Sequence, residues 1–193
     1  MSTSTYLKPF RRRAEGRTNY TKRLAFLKSG FSRAVIRKST NHMNIQCVKS
    51  TEGKDKIIAA AHTKELGKFS YNGHGGNIPA AYLTGLLAGK RMLKKDVKEI
   101  IVDLGVQPPV LGTRLFAAVK GIQDAGVTVH ADTTSFPKEG RLTGKHIEEF
   151  AQHASSKTNT NQFSTYAGKK IDTRAFTKTV ELAKKEIMEG GNA

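Results

Sequence analysis

The sequence predicts an α/β fold: a mixed sheet, formed by an antiparallel meander and a βαβ half, that is covered by helices. Apolar and polar residues alternate with a period of two over residues 33–63, as in half-buried strands. Apolar runs and helical periodicity alternate over residues 77–130, which is typical of a parallel βαβ unit. The predicted parts are a basic N-terminal arm and short helix (1–30), an α/β core domain (31–135) and a helical C-terminal extension (136–193).

The first thirty residues predict an extended arm followed by a helix. Residues 1–18 contain few apolar side chains, one proline and one glycine, which favours irregular structure. A helix is expected over residues 20–29. Thr18 or Asn19 would cap its start, and Gly30 would end it. Its apolar face would carry Tyr20, Leu24 and Leu27.

Three strands are expected in the meander, because the connections between the apolar runs are short. They span residues 33–39, 43–49 and 57–63. The first strand has an apolar stem and a basic end at Arg37 and Lys38. The turn over residues 39–42 places small hydrogen-bonding side chains beside these two cations. Such a group can contact phosphates and 2′-hydroxyls, or it can serve only to form the turn.

The second half of the sheet is predicted by apolar runs that alternate with helices. The expected elements are a helix over 77–95, a strand over 99–104, a helix over 113–126 and a strand over 127–130. Asn77 and Thr113 are suitable N-caps. Gly85 and Gly89 predict that the first helix packs closely against the sheet. The glycine-rich loop over residues 72–77 could hold a phosphate, but it lacks the P-loop and dinucleotide patterns.

Beyond residue 135 the sequence predicts two further helices. The expected elements are a short helix over 144–154, a polar linker over 155–162 and an amphipathic helix over 173–189. In the last helix Phe176, Val180 and Ile187 share one face. This face can dock on the core domain or on an external surface, and the sequence does not decide between the two.

Positive charge is concentrated at the N-terminus. The chain has 33 Lys and Arg against 16 Asp and Glu, a net charge of +17. Residues 1–38 contain eleven of these cations and the single acid Glu15, so they contribute +10. A polyanion is the expected partner of this segment, with nucleic acid favoured over an anionic membrane surface. An organelle transit peptide is a further hypothesis, because the segment is rich in Ser, Thr and Arg.

Other site classes find little support in the sequence. No run is long and apolar enough to span a membrane. The single cysteine, Cys47, excludes an internal disulfide, and its place in a strand favours a buried apolar role. The six histidines lack the spacing of a zinc site, so no metal site is predicted.

Three acids supply the best enzymatic hypothesis. Asp103 and Asp132 follow predicted strands, and Glu148 or Glu149 lies on a later helix. Carboxylates gathered around an α/β sheet can hold two magnesium ions, as a nuclease requires. Isolated acids at such positions are also ordinary caps and turn formers. We therefore predict no enzyme, and keep a magnesium-dependent nuclease that uses Asp103, Asp132 and Glu148 as an alternative.

Several separate runs, in the same order along the chain, resemble one protein family. They are Arg17–Tyr20 with Lys22–Leu24, Leu27–Gly30, Arg33–Ser39, Asn77–Gly89, and Pro108–Pro109 with Gly112–Ala118, extended by Asp124–Gly126, His130 and Gly144–Ile147. The chain resembles the large-subunit ribosomal protein that binds 5S ribosomal RNA, the eighteenth large-subunit protein in the bacterial naming. The form it is similar to is the archaeal and eukaryotic one, and the short C-terminal region favours an archaeal member.

The resemblance implies a non-catalytic role in the cytoplasm: a structural constituent of the large ribosomal subunit that helps to anchor 5S rRNA in the central protuberance. Its implied partners are 5S rRNA, large-subunit rRNA and neighbouring ribosomal proteins of the central protuberance, with no membrane, small-molecule substrate or cofactor. The RNA-binding residues carried over are Arg11, Arg12, Arg13, Arg17, Tyr20, Lys22, Arg23, Arg33, Arg37, Lys38, Ser39, Asn41 and His42. Lys28 joins them because it lies on the solvent side of the predicted helix. A nonspecific basic nucleic-acid binder is a further alternative.

Overall fold

The described strands form one mixed sheet in the order β3-β2-β1-β4-β5. The computed structural model describes residues 7–51, 54–154, 163, 166 and 173–190. The strands are β1 (Ser32–Lys38), β2 (Met43–Thr51), β3 (Lys54–His62), β4 (Glu99–Asp103) and β5 (Thr128–Val129). β1, β2 and β3 pair antiparallel, whereas β4 pairs parallel with both β1 and β5. The predicted α/β class and mixed sheet are therefore confirmed.

The helices occupy most of the predicted positions. Their bounds are α1 (Arg11–Ala14), α2 (Tyr20–Lys28), α3 (Ile78–Lys94), α4 (Arg114–Asp124), α5 (Glu139–Leu142), α6 (Lys145–Ala154) and α7 (Phe176–Gly190). Asn19 and Asn77 cap α2 and α3 through their side-chain oxygens, as expected. Thr113 occupies the cap position of α4, but its hydroxyl donates to the Val110 carbonyl instead.

The arm is not extended throughout, so that prediction was wrong over α1. Backbone N–H groups of Arg13 and Ala14 donate to the Phe10 carbonyl, which closes a short helical turn. Arginine and alanine are good helix formers, and Arg11 pairs with Glu15 one turn later at 3.2 Å. Residues 1–6 of the predicted arm lie outside the described residues.

The core lies between one face of the sheet and the helices α3 and α4. Ala34 and Ile36 of β1, Ile45 of β2 and Ile100 of β4 are fully buried on this face. Leu86 of α3 is buried against it in the same cluster. We call this the covered face of the sheet. The period-two pattern in the sequence predicts it, because alternate strand residues point to the same side.

Glycines set the close approach of α3 to α4. A Cβ atom on Gly85 would lie 2.1 Å from the Ala118 carbonyl oxygen, and one on Gly121 would lie 2.1 Å from the Tyr82 carbonyl oxygen. Gly89 faces Ala125 in the same crossing. The expectation that Gly85 and Gly89 pack against the sheet was therefore wrong, because their neighbours belong to the adjacent helix.

The C-terminal helix docks on the core, which decides between the two alternatives left open by the sequence. Phe176, Val180, Ala183 and Ile187 of α7 are buried in the main apolar cluster. The predicted linker over residues 155–162 lies outside the described residues. The division of the chain into arm, core domain and extension stays a prediction.

Candidate nucleic-acid interface

The side of the sheet opposite α3 and α4 carries polar and charged side chains. Arg33, Val35 and Arg37 alternate with the buried residues of β1 and so share this side. In the neighbouring strands Gln46 pairs with Val35 from β2, and Asp103 pairs with Val35 from β4. We call this side the open face. Its central residues are Arg33, Val35 and Arg37 of β1, Gln46 of β2 and Asp103 of β4.

Strand register places one carboxylate between two guanidinium groups. Because Asp103 lies opposite Val35, it is flanked by Arg33 and Arg37, which stand two residues to either side of Val35. Asp103 Oδ2 lies 3.4 Å from Arg33 Nη1, and Asp103 Oδ1 lies 3.1 Å from Arg37 Nη2. Arg37 Nη1 also donates to the Asp103 carbonyl at 2.7 Å. The backbone pairing of β1 with β4 therefore builds a bridged Arg–Asp–Arg triplet.

A second carboxylate, Asp55 of β3, extends this triplet towards the arm. Asp55 Oδ1 accepts from Arg33 Nη2 at 2.9 Å, and Asp55 Oδ2 accepts from Arg23 Nη2 of α2 at 2.8 Å. Burial raises the pKa of Asp55, but hydrogen bonds from Ser50 and Arg33 and the charges of Arg33 and Arg23 outweigh it. The pKa of Asp55 is therefore below its usual value, and the carboxylate is ionised near neutral pH.

We call these five residues the Arg–Asp cluster: Arg23, Asp55, Arg33, Asp103 and Arg37. Its members differ in their access to solvent. The Arg33 side chain is 4% exposed, whereas those of Arg23 and Arg37 are 43% and 42% exposed. Arg33 therefore neutralises the two carboxylates from within. Arg23 and Arg37 keep enough surface to bind an external anion.

A cleft lies between the arm and the open face. Its volume is about 130 Å³, and the Asp103 carboxylate lines it together with six cations. The cations that line it come from both sides of the cleft and are Arg12, Arg17, Lys22, Arg23, Arg33 and Arg37. Folding therefore brings together predicted RNA-binding residues that lie far apart in the sequence. Their shared cleft has the electrostatic character of an anion site.

The other predicted residues of the arm and α2, which are Arg11, Arg13, Tyr20 and Lys28, are exposed and do not line the cleft. Arg11 pairs with Glu15 at 3.2 Å, and Glu15 also pairs at 3.3 Å with Arg17 of the cleft. The Tyr20 ring packs against Phe10, with 5.3 Å between the ring centroids. The predicted apolar face of α2 is not buried: Leu24 is half exposed, and no side chain of α2 is fully covered.

The turn between β1 and β2 holds the remaining predicted residues. The Ser39 hydroxyl accepts from the His42 backbone N–H at 3.0 Å, so it helps to form the turn. The His42 ring bonds Thr63 at 3.1 Å and lies 5.0 Å from the His62 ring. Burial lowers the pKa of His62, and the charges of His42 and Lys64 lower it further. Exposed residues of the turn are Lys38, Ser39, Thr40 and Asn41.

The glycine-rich loop supports this turn. A Cβ atom on Gly76 would lie 2.5 Å from the Thr40 carbonyl oxygen, so only glycine allows the two segments to approach so closely. Arg114 Nη1 donates to the carbonyls of Gly76 and Thr40, at 2.7 and 3.3 Å. This role of the loop and of Arg114 was not predicted from the sequence. The only signal was the pair of consecutive glycines, and their partner lies more than thirty residues away in the chain.

Comparisons with known proteins identify the family. Residues 4–100 match the family model of ribosomal large subunit proteins 60S L5 and 50S L18. The large ribosomal subunit protein uL18 of Methanococcus maripaludis is 40% identical over 182 residues, which cover 93% of this chain and 94% of the relative. This chain belongs to the uL18 family.

Family membership confirms the resemblance to an archaeal or eukaryotic type of large-subunit ribosomal protein. As a uL18 protein, the chain is a structural constituent of the large ribosomal subunit and is located on the ribosome in the cytoplasm, as predicted. Its partners are ribosomal RNA and ribosomal proteins. The cationic cleft and the open face are therefore surfaces of a protein that works beside RNA.

The three acids of the nuclease alternative are engaged in separate local contacts. Asp103 belongs to the Arg–Asp cluster. Asp132 caps a short 3₁₀ turn by accepting from the Thr134 backbone N–H, and Glu148 accepts from the Thr177 backbone N–H. Within the described ranges no three His, Cys, Asp or Glu side chains are grouped so that they could hold a metal ion.

Two remaining features concern the core and the membrane. Cys47 is fully buried, and burial raises the pKa of its thiol to about 11, so the thiol stays protonated and unreactive near neutral pH. Among the helices that the structure describes, none is long and apolar enough to cross a membrane.

Proposed function

We propose that this uL18 protein binds 5S rRNA and helps to anchor it to the large rRNA in the central protuberance, without catalysing a reaction. The observation that supports this most is the cleft in which cations of the arm and of the sheet face each other. The predicted RNA-binding residues of the arm, the open face and the hairpin turn form the contact surface in this proposal.

Binding follows from charge and from shape. Lys and Arg side chains neutralise phosphates and release the counterions condensed on the RNA. The exposed guanidinium groups of Arg23 and Arg37 are held at fixed positions, so they also select the spacing between phosphates. Tyr20, packed on Phe10 at the surface of the arm, offers a ring on which an unpaired base can stack.

The non-catalytic part of the proposal rests on the contacts of the acids. A nuclease needs carboxylates that converge on metal ions. Asp103 is instead bridged to Arg33 and Arg37, two cations that would repel a divalent metal. Incubation with RNA and Mg²⁺ should leave the RNA intact, and cleavage that disappears in Asp103→Asn would support the nuclease.

The proposal can be tested by measuring the affinity of the full chain for 5S rRNA over a range of salt concentrations. An unrelated RNA of equal length serves as the control. We expect a clear preference for 5S rRNA and a loss of about 10³- to 10⁵-fold in affinity between 50 and 200 mM salt, if six to ten phosphates are contacted. Equal affinity for both RNAs would favour a nonspecific basic binder.

A matched pair of charge variants locates the contact surface. Joint replacement of Arg12, Arg17 and Lys22 by Gln removes three charges from the cleft, and should weaken binding by about 100-fold. Joint replacement of Lys138, Lys178 and Lys185 by Gln removes the same charge from exposed positions elsewhere and should have a much smaller effect. Similar losses in both variants would contradict the proposed surface.

A further inference from the structure

We propose that Asp103 and Asp55 are positioning residues of the RNA interface, so that removing either negative charge weakens RNA binding. This inference rests on the proposed function. Simple electrostatics predicts the reverse, because a protein that binds a polyanion should bind it more tightly after losing an acid. The geometry of the Arg–Asp cluster instead indicates that RNA affinity falls when either carboxylate is removed.

Asp103 fixes the side chain of Arg37. Arg37 Nη1 donates to the carbonyls of Ile36 and Asp103, and Arg37 Nη2 donates to Asp103 Oδ1. A guanidinium has five N–H groups in one plane. The N–H of Nε and the second N–H of Nη2 therefore have no partner within the described part of the chain. They lie on a side chain that is nearly half exposed, and they are available to a phosphate oxygen.

The backbone next to Asp103 strengthens this arrangement. The Gly105 N–H donates to Asp103 Oδ1 at 2.8 Å, which fixes the carboxylate that holds Arg37. Gly105 has a φ of +67°, and a Cβ atom there would lie 3.0 Å from Arg37 Cζ. Glycine thus permits both the left-handed turn and the close packing of the guanidinium upon it.

Asp55 has the corresponding role for the arm. It joins Arg23 of α2 to Arg33 of β1, and the Ser50 hydroxyl donates to the same carboxylate. No side chain of α2 is buried, so packing alone holds this helix weakly on the sheet. The Asp55 carboxylate therefore orients Arg23, and with it the arm side of the cleft.

Positioning matters because arginine is long and flexible. An unrestrained arginine loses rotamer freedom when it binds a phosphate, and this cost reduces affinity. In the Arg–Asp cluster folding has already restricted Arg23 and Arg37 before the RNA arrives. The two carboxylates thereby favour binding by pre-organisation more than they oppose it by charge.

Three isosteric variants of the full chain test the inference: Asp103→Asn, Asp55→Asn and the control Asp96→Asn. Asp96 is 88% exposed, pairs only with Lys98 among the described residues, and precedes β4 at the end opposite Asp103. Its backbone has a φ of +57°, which asparagine tolerates as well as aspartate. Each variant raises the net charge by one, so the three differ only in the position of the lost carboxylate.

We expect Asp103→Asn and Asp55→Asn to weaken 5S rRNA binding by about tenfold, and Asp96→Asn to leave it unchanged or slightly tighter. The dependence of log affinity on log salt should also become shallower by about one unit in Asp103→Asn, because one phosphate contact is lost. A general loss of stability would not change that slope. Binding by both variants that is as tight as that of Asp96→Asn would overturn the inference.

A double variant shows whether Asp103 acts through Arg37. In an Arg37→Ala background, Asp103→Asn should have no further effect on affinity, whereas independent effects would add. Additive losses would contradict the positioning role. Circular dichroism verifies folding, and Asp55→Asn decides the question if Asp103→Asn does not fold. If the wild-type chain does not select 5S rRNA in the same assay, the proposed function fails instead of the positioning role.

Discussion

The two faces of the sheet differ in what their side chains do, although both are built from the same strands. On the covered face Ala34 and Ile36 of β1 are fully buried against α3 and α4. On the open face Arg33 and Arg37 of the same strand meet carboxylates from β3 and β4. One strand with a period of two therefore supplies part of the protein's core and part of its cationic cleft.

Because of this difference, the two faces should respond differently to substitution. The covered face contributes apolar burial, which is sensitive to the loss or gain of a single methyl group. The open face contributes charges at fixed positions. In the proposed function these charges matter more for RNA binding than for folding, with the buried Arg33 as the exception. Stability and RNA affinity should therefore separate when neighbouring residues of β1 are replaced.

The largest effect on stability is expected at Ile36. Ile36→Ala should lower the free energy of unfolding by about 3–4 kcal/mol, because it leaves a cavity beneath α3 and α4. Its neighbour Val35 is only half buried on the open face, and Val35→Ala should cost about 1 kcal/mol. Urea denaturation of the two variants measures both values. Equal losses would contradict the assignment of the two faces.

A smaller loss is expected where α3 crosses α4. Gly85→Ala should lower the free energy of unfolding by about 2–3 kcal/mol, since the new Cβ would meet the Ala118 carbonyl oxygen. The control is Gly140→Ala in α5, where a Cβ would have only the Lys145 side chain near 4 Å. That variant should be stabilised by up to about 1 kcal/mol, because alanine favours a helix over glycine. Thermal melts of both variants check these signs.

The two arginines of β1 should separate stability from binding. Arg33→Ala leaves Asp55 and Asp103 without their shared buried partner, and should cost about 2 kcal/mol of stability. Arg37→Ala should cost less than about 1 kcal/mol, because its side chain is 42% exposed and solvent screens its ion pair with Asp103. It should nevertheless weaken RNA binding more than its stability loss suggests. If Arg37→Ala binds RNA as tightly as the wild type does, the open face is not part of the RNA interface.

The smallest effect concerns pH. The pKa of Asp55 is lower in the folded chain than in the unfolded chain, where it is near 4. The unfolded chain therefore takes up the proton more readily, and the stability that Asp55 contributes is lost as pH falls through its folded pKa. Between pH 7 and pH 3, Asp55→Asn should lose less stability than the wild type. An equal loss of stability in both proteins would show that Arg33 and Arg23 do not lower the pKa of Asp55.

Most elements of the fold could be predicted from local patterns, and the failures have physical causes. The alternation in β1 and the caps Asn19 and Asn77 depend on neighbouring residues, so the sequence shows them directly. The helical turn α1 was missed because a proline and a glycine flank it, and β5 covers only Thr128–Val129 of the longer strand expected. The partners of Gly85 were misassigned because glycine spacing shows close packing without showing against what.

The candidate site was less predictable, because its contacts are non-local. Asp103 lies 70 residues from Arg33 in the sequence, and only the register of two parallel strands brings them together. In the sequence alone, Asp103 therefore appears as an isolated acid and Arg33 as one more basic residue of the strand. Charge composition indicated the ligand class, whereas strand pairing determines which cations are buried and which remain accessible.

The proposed RNA interface can be tested by arginine footprinting of the full chain with a dicarbonyl reagent. Mass spectrometry then compares the modification of each arginine with and without 5S rRNA. We expect the RNA to protect Arg23 and Arg37, which lie in the cleft between the arm and the open face. Arg141, exposed on α5, should react equally in both conditions. Unchanged reactivity of Arg23 and Arg37, together with protection of Arg141, would contradict an RNA interface on the open face.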